Sequence, residues 1–235
     1  MKSLVFPMHR LALGLLALTL SPTSPFALAQ EKPADERALD KPLEAGFVAL
    51  FDEKNLDGWE GNLDFFRVEQ RAIVAGSLKK DIPNNEFLCT KKEYNDFELR
   101  LEVKLQGAGN NAGVQFRSAR VPEDHEVSGY QCDVGVAWDR PVWGGLYDES
   151  RRNKMLAEGP AGQLPEWVKE GDWNELWIRA VGDNIELFVN GHPTIKYTEQ
   201  ESQIARSGII GLQIHSGPPT EAWYRNIRIK VIDDK

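Results

Sequence analysis

From Phe97 to Lys104 apolar and charged residues trade places at every step, with Phe97, Leu99, Leu101 and Val103 set against Glu98, Arg100, Glu102 and Lys104. Successive side chains of a strand point to opposite faces, so a strict period of two marks a strand with one buried face. The same period runs through Ile185, Leu187 and Val189, and Asn190-Gly191 follows at once. That pair accepts positive φ at both central turn positions, which predicts a hairpin from Ile185 to Tyr197. Near the C-terminus, Trp223, Arg225, Ile227, Ile229 and Val231 alternate with Tyr224, Asn226, Arg228 and Lys230. Helical signal is confined to a short turn around Leu164 to Lys169, which Gly171 would stop. Many short strands with almost no helix predict an all-β chain, built as a two-sheet antiparallel jelly-roll sandwich.

The first 29 residues read as a secretory signal: basic Lys2 and Arg10, an apolar run from Leu11 to Leu20, and Ala27-Leu28-Ala29 before Gln30. The run is too short for an ordinary membrane span, and no later segment reaches the roughly 20 apolar residues a span needs. The expectation is an exported protein, periplasmic or extracellular, with no membrane insertion. Residues 30–45 are charged and Pro-containing and read as a flexible leader. One domain then runs from Gly46 to Lys235, with enough chain for a substantial core. Loss of Lys2 and Arg10 takes the 28 basic residues to 26 against 36 acidic, moving the net charge from -8 to -10. Such a balance excludes nucleic acid and anionic membrane as natural partners, since both reward clustered Lys and Arg. Cys89 and Cys132 form an even pair that an oxidising compartment would permit to bridge. The alternative reading makes Cys132 a small buried hydrophobe on the apolar face of its strand.

Three strand-like stretches carry two polar side chains spaced two apart: Gln115 and Arg117, Gln131 and Asp133, Gln213 and His215. Each pair shares one face, while Val114/Phe116, Tyr130/Cys132/Val134 and Leu212/Ile214 share the other. An unpaired buried polar group costs roughly 1–3 kcal/mol, so a sheet keeps such a front only where it lines a wet cleft or the groups satisfy one another. Amide and carboxylate together match vicinal sugar hydroxyls as donors and acceptors. The long stretch from Gly135 to Asp172 carries Trp138, Trp143, Tyr147, Asp148, Glu149, Arg151 and Arg152, a content that favours function. Of seven Trp, Trp138 and Trp143 are the candidates to stack on a sugar ring, whereas Trp177 and Trp223 read as core. His215 ends the strand of Gln213, and His125, beside Glu126, precedes the strand of Gln131. Either histidine could act as a base or as a metal ligand. No HExxH, tight His/Asp cluster, GxSxG elbow, P-loop or dinucleotide fingerprint is present.

Several blocks together resemble one family, the bacterial 3-keto-disaccharide hydrolase domain. They are GFVALFDEKNLDGW (Gly46 to Trp59), NNAGVQFRS (Asn110 to Ser118), HEVSGYQCDVG (His125 to Gly135), WGGLYDESRRNKML (Trp143 to Leu156), GDWNELWIRAVGDNIELFVNG (Gly171 to Gly191) and SGIIGLQIHSGPPTEAWYRNIRIK (Ser207 to Lys230). The resemblance covers about Gly46 to Val231. It implies a concanavalin A-like lectin/glucanase sandwich acting on glycosides already oxidised to a ketone at C3. Gln131 stands where the broader family often has Glu, which separates this chain from any role of that glutamate.

A C3 ketone acidifies the hydrogen on C2, so the resemblance implies proton abstraction, elimination of the C1 substituent and hydration of the enone. In these terms Asp133 or His215 is the base, and Arg117, alone or with a bound divalent cation, stabilises the enolate. Gln115, Gln131 and Gln213 hold sugar hydroxyls, with Trp138, Trp143, Tyr147, Asp148, Glu149, Arg151, His125 and Glu126 completing the substrate contacts. Two other readings use the same strands. A lectin-like module would hold polysaccharide on the polar front without turnover, and a structural domain would leave that front merely solvated. Arg117, Asp133 and His215 together favour the enzyme, since a binding face has less use for titratable groups.

Overall fold

The computed structural model describes residues 39–40 and 42–232, so the expected signal and most of the expected leader lie outside the described residues. The chain divides into a unit ending at Asp40 and a unit that begins at Lys41. The second unit holds the strands, in chain order β1 (Val48–Ala49), β2 (Trp59–Glu60), β3 (Phe66–Glu69), β4 (Ala72–Ser77), β5 (Glu86–Thr90) and β6 (Phe97–Gly107). Next come β7 (Asn111–Arg120), β8 (Val127–Ala137), β9 (Arg140–Pro141), β10 (Leu146–Glu149), β11 (Lys154–Ala157) and the short helix α1 (Leu164–Trp167). The chain closes with β12 (Asn174–Val181), β13 (Asn184–Val189), β14 (His192–Thr198), β15 (Ile209–Ile214) and β16 (Thr220–Val231).

The strands form two antiparallel sheets packed face to face, the expected sandwich. One sheet runs β14-β13-β12-β6-β16-β4-β3 with β1 added to β16; the other runs β11-β10-β8-β7-β15-β5-β2 with β9 added to β8. Period-two alternation puts Phe97, Leu99, Leu101 and Val103 of β6 into the core between the sheets, facing Val114, Phe116, Cys132, Val134, Leu212 and Ile214 of the second sheet. Burial of this apolar area is what holds the layers together, at about 25 cal/mol per Å². The Asn190-Gly191 turn forms as expected, with φ of 49° and 80°. Tyr224 of β16 spans the core and donates its hydroxyl to the Gln213 carbonyl at 2.5 Å, so the first sheet pins the backbone under the polar front of the second.

The closing strand departs from simple alternation. In β16 the register shifts between Arg225 and Arg228, where Asn226 takes a positive φ of 52°. This bulge swaps the faces, because one extra residue moves every later side chain to the other side. Tyr224, Ile227 and Ile229 therefore all enter the core, while Trp223 packs outside it with Ala72 and Val74. Trp177, expected in the core, is half-buried on the outer face and stacks on Phe188 at 4.2 Å. The stretch from Gly135 to Asp172 is not a loop: it supplies β9, β10, β11 and α1. Both cysteines are free. Cys132 faces the core, whereas Cys89 packs with Phe87 and Val127 on the opposite face, so no disulfide joins them.

Candidate active site

Two rows of paired residues cross the outer face of the second sheet. Cys89, Gly211, Gln115, Gln131 and Tyr147 form one, and Phe87, Gln213, Gly113 and Asp133 the next, on strands in the order β5-β15-β7-β8-β10. The polar members of these rows line and underlie a cleft of about 370 Å³ bounded by Gln131, Asp133, Trp138, Tyr147, Glu149 and His215, with Asn85, Asn111 and Ser216 beside them. The first six are residues that the sequence pattern singles out. Asn111 continues the period of two from Gly113 and Gln115, so its signal was present. Asn85 and Ser216 lie outside the strands, where no periodicity reports on direction.

The floor of the cleft is a relay of amides. Ser118 Oγ donates to Gln115 Oε1 (2.9 Å), Gln115 Nε2 donates to Gln131 Oε1 (2.8 Å), and Gln131 Nε2 donates to Asp133 Oδ1 (2.8 Å). Each member fixes the orientation of the next, so Gln131 presents an N–H to the carboxylate. Gln115 and Gln213 are fully buried; they support the cleft from below instead of reaching into it. Gly113 makes this possible, because a Cβ there would lie 2.4 Å from Gln131 Cδ.

Asp133 and Glu149 face the cleft from adjacent strands and, among the described residues, have no cation to pair with. Burial pushes the Asp133 carboxyl up to about 7, with the Glu149 charge adding to the rise and the Gln131 N–H opposing it. Burial, then the nearby Glu126 charge, pushes Glu149 up to about 7 as well. Two carboxylates that exchange protons near neutrality suit general acid–base work. The Tyr147 phenol is raised by burial and by Glu149 and Asp133, so it keeps its proton. His215 Nδ1 lies 2.7 Å from the Ser216 carbonyl. A carbonyl only accepts, so Nδ1 carries a hydrogen and donates it there.

Trp138, 61% exposed, forms the outer wall with its ring tilted over Tyr147 at 6.0 Å. Gln213 Nε2 makes a long contact of 3.4 Å to Glu149 Oε2. Glu126 lies just outside, its Oε1 accepting from Asn85 Nδ2 at 2.9 Å. His125 is further out, with Nδ1 2.9 Å from Glu86 Oε1.

Four expected site residues point elsewhere. Arg117 sits on a second bulge, with φ of 46° and a register shift between Phe116 and Ala119. The bulge turns its guanidinium away from the cleft onto Asp96 Oδ1 (2.7 Å), the Gly182 carbonyl (2.7 Å) and the Asn95 carbonyl (3.0 Å). Arg117 is therefore a clamp between the sheets and is not part of the cleft lining. Asp148 points to the opposite side of β10 from Tyr147 and Glu149 and is fully buried, bonded to Arg151 and Arg152. Arg151 lies over the Tyr130 ring at 4.5 Å, again behind the sheet. Trp143 is buried in the core. As to a divalent cation, no group of three or more His, Cys, Asp and Glu side chains among the described residues is arranged to hold one.

The fold is shared with solved structures. A protein of Parabacteroides distasonis provisionally named a glycosyl hydrolase superposes with a TM-score of 0.61 at 17% identity, covering 86% of this chain and 99% of that one. The carbohydrate-binding module CBM66 from Bacillus subtilis superposes at 0.54 with 17% identity, covering 74% and 96%. In sequence, a 3-keto-disaccharide hydrolase of Bacteroides thetaiotaomicron is 23% identical, over 86% of this chain and 84% of that protein. Residues 46–230 match the model of the 3-keto-alpha-glucoside-1,2-lyase-like domain, and the chain belongs to that family.

Proposed function

We propose that the cleft cleaves 3-keto-glycosides by elimination and hydration, with Asp133 as base and Glu149 as acid. The observation that carries this is the pair of uncompensated carboxyls, each raised to about 7, that face one cleft from adjacent strands. Asp133 takes the proton from C2, which the C3 ketone has acidified, and the electrons pass into the enolate. Collapse of the enolate re-forms the ketone, makes the C1–C2 double bond and breaks the bond from C1 to the leaving oxygen. Protonated Glu149 supplies the hydrogen that this oxygen needs. In the second half Glu149, now ionised, takes a proton from water, whose oxygen adds to C1, and Asp133 returns its proton to C2. Both carboxyls end as they began, and the net change is hydrolysis.

The Tyr147 phenol, kept protonated by its surroundings, is the donor for the ketone oxygen, and Asn111 and Gln131 hold ring hydroxyls. His215 Nε2 is the competing base. Asp133 is preferred because its shifted carboxyl is oriented by three linked side chains. An acid–base residue typically contributes about 10²–10⁴-fold. Cleavage of a chromogenic 3-keto-glucoside is therefore expected to fall about 10³-fold in Asp133→Asn and about 10²-fold in Glu149→Gln, and only severalfold in His215→Ala. Full activity in folded Asp133→Asn removes the assignment.

The sandwich by itself serves binding equally well, since a carbohydrate-binding module is built on it too. A lectin reading predicts calorimetric binding of intact glycans with no product from keto-sugars. Export is part of the same proposal, and mass spectrometry of secreted protein beginning at Gln30 tests it.

A further inference from the structure

A second cleft, of about 810 Å³, adjoins the first. Its lining joins Leu78, Leu105, Trp143, Leu164, Pro165 and Val168 with the polar side chains of Gln106, Asn110, Glu170 and Asp172. Both volumes fall in the range of roughly 300–1,000 Å³ typical of small-molecule sites. The linings differ: amides, carboxyls and a phenol dominate the first cleft, whereas aliphatic side chains and an indole make up the larger part of the second.

The two clefts meet at one backbone ridge. Val136 lines both, and its N–H donates to the Asn110 carbonyl at 2.9 Å. Asn110 lines the second cleft while its neighbours Gly109 and Asn111 line the first. Leu78 at 47% and Val136 at 37% are among the few large apolar side chains left exposed among the described residues. Exposed apolar surface gathered around a concavity is the mark of a ligand site.

We propose that the second cleft receives the leaving group, and that this group is a bulky apolar aglycone, not a second sugar. The inference rests on the reaction proposed above. A sugar ring in the first cleft reacts over Asp133 and Glu149, and its C1 substituent extends across Val136. Side-chain partners for a second sugar are confined to Gln106, Asn110, Glu170 and Asp172, and against the leucine, proline and valine walls its remaining hydroxyls would lose water without gaining partners. An aryl or terpenoid group loses only unfavourable hydration there.

The test uses the full chain and the glucosides of 2-(2-naphthyl)ethanol and of ethanol, whose alcohols have similar acidity as leaving groups. Calorimetry with the unoxidised glucosides is expected to show the naphthylethyl compound binding at least tenfold more tightly. The Leu78→Asp/Val168→Asp variant is expected to lose that preference, and the wild-type comparison stands even where the variant fails to fold. Equal affinities in wild type overturn the inference. With the 3-keto forms, at least a tenfold lower KM for the naphthylethyl compound supports it. Equal kcat/KM for both, or a preference for a 3-keto-disaccharide, overturns the aglycone assignment and leaves the reaction standing. Cleavage of neither compound, with the binding preference intact, overturns the reaction and with it the leaving-group role.

Discussion

Asp148 and Glu149 are neighbours in the chain, yet the pleat of β10 sends them to opposite faces and into opposite electrostatic worlds. Asp148 lies behind the sheet in a cluster where Arg152 bonds it and also donates to Glu199 at 2.7 Å. Despite its burial, Glu199 is held down to about 2 by Arg152 and the Tyr130 hydroxyl. Glu149, on the cleft side, has no such partner and is pushed up to about 7. Two arginines stand within four residues of Asp148 and both serve the rear face. The fold thus neutralises the carboxylates that hold it together and leaves uncompensated the ones that can trade protons. Buried charge is expensive when unpaired, so the cleft keeps Asp133 and Glu149 at a cost in stability.

The sharpest way to break this contrast is on the cleft side, where Asp133→Asn is expected to cost about 10³ in kcat/KM while the rear cluster stays intact. On the rear face the effect should fall on stability instead. Arg152→Ala leaves Glu199 without its cation and Asp148 with Arg151 alone, and urea unfolding is expected to show a loss of about 3 kcal/mol. A change below about 1 kcal/mol would mean the cluster is not the anchor of β10.

The two faces should also answer pH in opposite directions. Asp133 and Glu149 have ordinary values of 3.8 and 4.5 and rise to about 7 in the folded protein. Their stabilising contribution is complete below about 4 and is lost as pH climbs through 7. Glu199 is lowered from 4.5 to about 2, so its contribution holds above 4.5 and disappears as pH falls toward 2. The Asp133→Asn/Glu149→Gln variant is therefore expected to be more stable than wild type at pH 8 and close to it at pH 4. Parallel melting curves for the two proteins across that window would refute the environment assigned to the cleft.

A smaller change comes from Gln131→Glu, which replaces the N–H facing Asp133 by a carboxylate. The ionisation seen in the pH–rate profile should move up by about one unit, as a like charge beside a carboxyl raises its pKa. An unmoved profile would place the titrating group elsewhere. The mildest effect belongs to Trp138→Ala, where removing one exposed aromatic wall is expected to raise KM about fivefold, in line with about 1 kcal/mol for a ring contact.

The alternation in Phe97–Lys104 and the Asn190-Gly191 pair specify their strands and hairpin locally, which is why the sandwich is legible before any coordinates. The face assignments hold wherever the strand is regular, as for Gln131 and Asp133. They fail at Arg117 and in β16 because a bulge inserts one residue; nothing in FRSA announces a positive φ at Arg117, and Asn226, a residue type that tolerates one, is masked by the unbroken alternation around it. Trp143 misses the first cleft for another reason: an indole fits a core as well as a cleft, and here it packs in the core with an edge on the second cleft. Tyr147, Asp148 and Glu149 read in sequence as one group of substrate contacts, and the pleat alone divides them.

Sequence by itself settled that this chain is a layered β structure with one polar sheet face, because hydrophobic periodicity acts between residues a few positions apart. Which acids share a cleft, and which of them are denied a counter-charge, depended on strand order, register and two bulges. Those follow from packing between distant segments, where proximity in the chain carries no information about proximity in space.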